Sequence, residues 1–203
     1  MRSIPGMVIV NPADAVEARA AVKAALEYNG PMYLRFGRLA VPVFNDADNY
    51  TFELGKGICL KDGSDVTIIA SGVTVDMSLK AAEQLATKGI SARVINIHTI
   101  KPIDREIIIK AAKETGRIIT VEEHNVIGGL GDAVCEVTSA ECPVKVTKIG
   151  VQDRFGYSGP AHELLDKFEL EDLSYLNEVD RHYEHSELTE ITLNRRAVVT
   201  VEL

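Results

Sequence analysis

Between Asp65 and Val151 the chain alternates without interruption between short β-branched runs and amphipathic helical stretches. "DVTIIAS", "SARVINI", "RIITVEE" and "VKVTKIGV" read as strands; "VDMSLKAAEQLATKG", "DREIIIKAAKETG" and "GLGDAVCEVTSAE" read as the helices between them. Strands this apolar must be covered on both faces, and short helical connections supply that cover. The expected fold class is therefore α/β, a doubly wound and mostly parallel sheet. Gly89 and Gly116 fall just past helical patterns, where a left-handed residue favours glycine, and Gly63 falls at a turn. "IKPID" places Pro102, Asp104 and Glu106 at a helix start, where the dipole favours acids.

The first 38 residues repeat the pattern once only. "MVIV" is an apolar β run, and "NPAD" supplies a turn with Asp14 as N-cap. "AVEARAAVKAALEYNG" is then an Ala-rich helix stopped at Asn29-Gly30, and "PMYLRFGR" reads as a second strand. A lone β–α–β unit cannot cover both faces of a sheet, so residues 1–38 are expected to be a fragment of a second α/β domain. Residues 39–56, "LAVPVFNDADNYTFELGK", show no helical period and hold Pro42 and an Asn-Asp cluster, the composition of an extended linker.

Charge and cysteine usage narrow the function classes. Twenty-two Lys and Arg against 30 Asp and Glu give a formal net charge of −8, which disfavours nonspecific contact with nucleic acid or anionic lipid. Cys59, Cys135 and Cys142 form no even disulfide framework, and the spacing of the last two does not suit a zinc knuckle. No apolar stretch approaches the roughly 20 residues of a membrane span. The expectation is a cytoplasmic protein without nucleic-acid or membrane partners.

"EEHNVIGGLGDAV", residues 122–134, is the stretch richest in chemistry-bearing side chains. It follows a strand and opens a helix, the place where open α/β sheets put ligands. Backbone N–H groups of a Gly-rich loop there can cradle a phosphate, and His124 beside Glu122 and Glu123 can act as an acid–base group. Gly128, Gly129 and Gly131 serve equally for close backbone approach and helix entry.

Four segments, in this order, carry a resemblance: "PGMVIVNPADAVEARAAVKAALEYNGPMYLRFGR", "SGVTVDMSLKAAEQLATKGISARVINIHTIKPID", "EEHNVIGGLGDAV" and "IGVQDRFGYSGPAHELLDKF". Together they resemble the C-terminal part of transketolases, most closely the separately encoded C-terminal subunit of split members. The resemblance covers about residues 1–170. It implies that residues 1–38 are the end of the pyrimidine-binding domain, 39–56 a linker and 57–170 the transketolase C-terminal domain. Residues 171–203 depart from the family pattern.

The resemblance implies two-carbon ketol transfer between sugar phosphates in a complete enzyme that uses thiamine diphosphate and magnesium. The family's ylid-forming glutamate and its Gly-Asp-Gly metal–diphosphate motif have no counterpart in residues 1–203, so no cofactor is expected on this chain and no turnover by it alone. The implied partners are an N-terminal transketolase subunit and a second copy in a homodimer. The implied substrate-binding residue is Arg38, at the end of "YLRFGR", where a guanidinium would hold the sugar phosphate by parallel hydrogen bonds; Arg35 is the alternative. The resemblance also implies that the Gly-rich loop contributes to packing and to the dimer contact, not to cofactor chemistry. Related readings are 1-deoxy-xylulose-5-phosphate synthase, the beta subunit of a 2-oxo-acid dehydrogenase first component, or a non-catalytic interaction module.

In the tail, "RHYEHSE" places His182 and His185 three apart with Glu184 and Glu187 nearby, a spacing that suits a transition metal on a helix or a solvated face. "TEITLNRRAVVTVEL" is β-rich and reads as a hairpin turning near Asn194-Arg195.

Overall fold

The computed structural model describes residues 1–38, 40–168 and 170, and the backbone of three further strands at 178–179, 188–192 and 198–202. The expected alternation is present: β4 (Val66–Ala70), α2 (Thr74–Thr87), β5 (Ala92–Asn96), α3 (Arg105–Thr115), β7 (Arg117–Asn125), α4 (Leu130–Glu141) and β8 (Lys145–Val151). With β3 (Ile58–Lys61) they form a five-stranded sheet in the order β3-β5-β4-β7-β8. β5, β4, β7 and β8 run parallel, and β3 is an antiparallel edge strand.

The period-two alternation of side chains across β4 sorts the core into two layers. Val66, Ile68 and Ala70 face Val75, Ala82 and Leu85 of α2. Ile69 looks the other way, with Ile95 and Ile118, toward Ile108 and Ala112 of α3 and Leu130 and Val134 of α4. Every residue of β4 and β5 is buried, as strands covered on both faces must be. Asp104 caps α3 through the Ile107 N–H, and Gly116 ends it with φ 68°.

The first unit comprises β1 (Val8–Val10), α1 (Ala15–Glu27) and β2 (Met32–Leu34), with β1 and β2 parallel. It does not stand alone. After β5 the chain crosses over and adds β6 (Thr99–Lys101) antiparallel to β1, giving a second sheet in the order β2-β1-β6. Neither β3 nor β6 is legible in the sequence, because "ICLK" and "TIK" are too short and too mixed to show a period.

One expectation from the sequence is corrected by the fold. β2 stops at Leu34 rather than running through Arg38; only the Arg35 N–H continues the ladder, donating to the Val10 carbonyl (2.9 Å). Residues 40–56 contain neither helix nor strand, and this connection is anchored to the first unit. The Phe44 and Asn45 N–H groups donate to Asp14 Oδ2 (3.1 and 2.9 Å), and the Tyr50 hydroxyl donates to Glu17 Oε1 (2.5 Å). Phe52 and Leu54 pack on Val8, Val10 and Ala21, covering a face that a single helix leaves bare.

Beyond β8, α5 (Ala161–Lys167) follows the "GYSGP" loop. Strands β9 (Glu178–Val179), β10 (Leu188–Thr192) and β11 (Val198–Glu202) form an antiparallel sheet in the order β11-β10-β9, so the β-rich tail pairs as the hairpin reading expects. Its turn at Asn194-Arg195, and the metal reading of His182 and His185, lie outside the described residues.

Candidate functional site

The end of β7 and the start of α4 decide what the Gly-rich loop does. Glu122 is 1% exposed, in the stretch of β7 where the register against β8 shifts between Val121 and Asn125. Its carboxylate turns back onto the N-terminus of α4, where Oε2 accepts from the Leu130 N–H (2.7 Å) and Oε1 from the Gly131 N–H (2.8 Å). Burial pushes the Glu122 carboxyl above the usual carboxylate range, and the two N–H donors oppose that shift. The anion-binding end of this helix is thus filled by the chain's own carboxylate.

The glycines make that contact sterically possible. A Cβ on Gly129 would collide with Glu122 Oε2, and one on Gly131 would meet the Lys148 side chain at 2.6 Å. Gly128 adopts φ 76°, and its N–H donates to Asp132 Oδ2 (2.6 Å), while Lys148 donates to Asp132 Oδ1 (2.7 Å). Close packing therefore accounts for Gly129 and Gly131, and the left-handed backbone for Gly128. His124 is exposed, its Nδ1 2.7 Å from the Asn125 carbonyl and 3.8 Å from Glu122 Oε2. A carbonyl only accepts, so Nδ1 carries the proton in that contact and the lone pair lies on Nε2.

Beside this loop lies a cavity of about 600 Å³ between the small sheet and α4, walled by Ile9, Tyr33, Ile100 and Ile127 and rimmed by Arg2, Arg35 and Lys101. The rim cations are already engaged. Arg2 forms a two-pronged pair with Glu136 and donates to the Gly128 carbonyl (3.1 Å), and Lys101 Nζ donates to the carbonyls of Arg2 and Ile4. Arg35 donates to the Glu123 carbonyl (2.9 Å) and, with the Asn11 amide oxygen turned toward it, to Asn11 Oδ1 (2.8 Å).

Arg38 is placed elsewhere. It is exposed and donates to the Gly159 carbonyl (2.9 Å), joining the chain after β2 to the loop before α5. Both arginines follow β2, which ends at Leu34. Arg35 lines the cavity; Arg38 sits at the mouth of the "GYSGP" loop.

One polar cluster escaped the sequence reading. Glu17 is fully buried and accepts from the Ala13 N–H (2.6 Å), Tyr50 hydroxyl (2.5 Å) and Asn96 amide (2.9 and 3.1 Å). Burial raises its carboxyl above the ordinary range, against those hydrogen bonds. The signal was available: Asp14-x-x-Glu17 has the spacing of a capping box, in which the third helical residue reaches back to the chain before the helix. That the same acid also grips β5 and the connection is a tertiary fact.

The N-terminus of α4 does not fit a diphosphate–metal cofactor. Glu122 occupies the helix end that would suit the anion, and among the described residues no group of three or more His, Cys, Asp or Glu could hold a metal. The three cysteines are free thiols.

Comparison with known proteins places these observations. The family described as "Transketolase, C-terminal domain" matches residues 55–172, and "Transketolase, pyrimidine binding domain" matches residues 1–43. Over 171 residues the chain is 48% identical to one subunit of the apulose-4-phosphate transketolase of Phocaeicola vulgatus, covering 84% of this chain and 54% of that one. It is 45% identical over 171 residues to a 6-deoxy-6-sulfo-D-fructose transketolase subunit of a Clostridium species, covering 84% and 52%. A 1-deoxy-D-xylulose-5-phosphate synthase of Heliobacterium modesticaldum is 41% identical, with 84% and 27% covered. A solved structure described as a split gene transketolase, inactive beta4 tetramer, superposes with a TM-score of 0.78 at 46% identity, covering 84% of this chain and 55% of that one. The chain spans about half the length of the two transketolase subunits it matches.

Proposed function

The chain belongs to the transketolase family, and from that premise we propose that it is the C-terminal portion of a two-carbon ketol transferase acting on sugar phosphates. The observation that carries this reading is the match of both family regions in order, 1–43 and 55–172, on a fold shared at 46% identity with a split transketolase. An N-terminal subunit supplies the thiamine diphosphate and magnesium site. When bound, that cofactor supplies carbanion stabilisation for the transferred ketol unit. This chain contributes the packed C-terminal domain and the end of the pyrimidine-binding domain, and it associates with copies of itself when the partner is absent.

The test is reconstitution. The chain alone, given thiamine diphosphate, magnesium, a ketose phosphate donor and an aldose phosphate acceptor, is expected to show no transfer above a protein-free blank. Adding an N-terminal transketolase subunit is expected to start turnover. Transfer by the chain alone, or none with a partner proven to associate, would reject the reading.

In the same reading Arg38 holds the substrate phosphate, exchanging its bond to the Gly159 carbonyl for a charge-assisted one. Arg38→Ala in the reconstituted enzyme is expected to weaken apparent affinity for phosphorylated substrates by about ten- to a hundredfold, the loss of roughly 1.5–3 kcal/mol. Kinetics with hydroxypyruvate, which has no phosphate, should change much less. Equal losses with both donors would assign Arg38 to folding instead.

A further inference from the structure

His98 lies where the chain crosses from one sheet to the other, in the two-residue link between β5 and β6. The residue is 1% exposed. Its ring stacks on Phe52 of the connection, with centroids 4.4 Å apart, and its Nδ1 is 2.9 Å from Thr99 Oγ1 at the start of β6. Its carbonyl accepts from the Asn11 N–H (2.8 Å) at the end of β1. Three pieces of chain therefore meet on this one residue: Phe52 of the connection, Asn11 just after β1 and Thr99 at the start of β6.

We infer that His98 is an acid-released latch: protonation of its buried ring frees the connection and the β1–β6 pairing while the five-stranded sheet stays folded. The physical reason is where a charge would have to go. Phe52 covers the ring on one side, and Thr99 offers a neutral hydroxyl. Asp104, the N-cap of α3, is the charged group that faces the ring, and its carboxylate is already committed to the N–H groups of Ile107 (3.2 Å) and Gly57 (2.9 Å). A cation at His98 is thus desolvated with no carboxylate free to pair with it. Opening the joint lets water reach the ring at the cost of only the local contacts.

Burial holds the ring down to about 4 against an ordinary 6.5, with Asp104 opposing. A group depressed in this way contributes stability that is present above pH 6.5 and is lost as pH falls toward 4. Glu17 and Glu122, whose carboxyls are raised by burial, act in the opposite sense over the acid end of this range. Global acid unfolding therefore cannot report on His98, and a local measurement is needed.

Hydrogen exchange of the full chain, normalised for the intrinsic pH dependence of exchange, supplies it. Between about pH 7.5 and about pH 5, protection of residues 8–10, 40–56 and 99–101 is expected to fall by about thirtyfold. Protection of β4 and β7 should stay within about threefold. His98→Asn keeps a polar atom for Thr99 and cannot ionise, so its joint should keep its protection over the same range. An equal fall in wild type and variant, a fall shared by β4 and β7, or no fall at all would each overturn the latch. Should the variant fail to fold, ring NMR of the wild type decides: a His98 ring that titrates near 6.5 with the joint still protected rejects the inference, and one that stays neutral until the joint opens supports it.

Discussion

Gly129→Ala is expected to destabilise the chain by about 3–5 kcal/mol, seen as a fall in Tm of roughly 6–20 °C. The added methyl would overlap Oε2 of Glu122 and stand 2.6 Å from its Cδ, so one of the two must leave. Glu122 has little room to move, being buried within β7 and bonded to the start of α4. Displacing its carboxylate strips the Leu130 and Gly131 N–H groups of their acceptor and leaves a buried anion without donors, the costliest outcome available to a polar group in a core. A double-mutant cycle checks the assignment. Glu122→Ala alone should also destabilise, through the uncapped helix, but Gly129→Ala added to it should cost little, because its target is gone. Additive losses, or a Gly129→Ala protein within about 0.5 kcal/mol of wild type, would show that the glycine is not there to admit the carboxylate.

Asp14→Ala is expected to cost about 3–4 kcal/mol, well beyond the roughly 1 kcal/mol of an ordinary N-cap. The side chain has two duties on its two oxygens. Oδ1 accepts from the Glu17 N–H (2.9 Å) and caps α1, whereas Oδ2 accepts from the Phe44 and Asn45 N–H groups and ties down the connection. Asp14→Asn separates them, since an amide can keep the cap with its oxygen but presents an NH2 to the two N–H donors of the connection. Denaturant unfolding should therefore rank wild type above Asp14→Asn and Asp14→Asn above Asp14→Ala, with residues 40–56 losing exchange protection in both variants. A loss in Asp14→Ala no larger than a cap alone would remove the second duty.

These two carboxylates show where sequence reading runs out. Glu122 was visible as one acid in a Gly-rich stretch, and the spacing of Gly128, Gly129 and Gly131 was equally compatible with a bound phosphate. The local pattern is the same because a helix N-terminus attracts any anion; what differs is whether a carboxylate eight residues back can reach it. That depends on how far β7 extends before the chain turns. Asp14 was legible as a cap because capping is set by neighbours three residues away, but its hold on Phe44 and Asn45 spans some 30 residues of sequence.

Local chemistry was enough to establish the α/β alternation from β4 to β8, the capping of α1 and α3 by Asp14 and Asp104, the left-handed stop at Gly116 and the incompleteness of a lone β–α–β unit. Each of these follows from side-chain period or from the steric limits of a single residue, and both act within a few positions. The addition of β6 to β1, the anchoring of residues 40–56, the separation of Arg35 from Arg38 and the burial of His98 were decided only by the tertiary structure. They depend on which apolar faces remain uncovered once the two sheets form, and burial of such faces is non-directional: any chain segment of suitable reach can provide the cover, and its sequence carries no periodic mark of having done so.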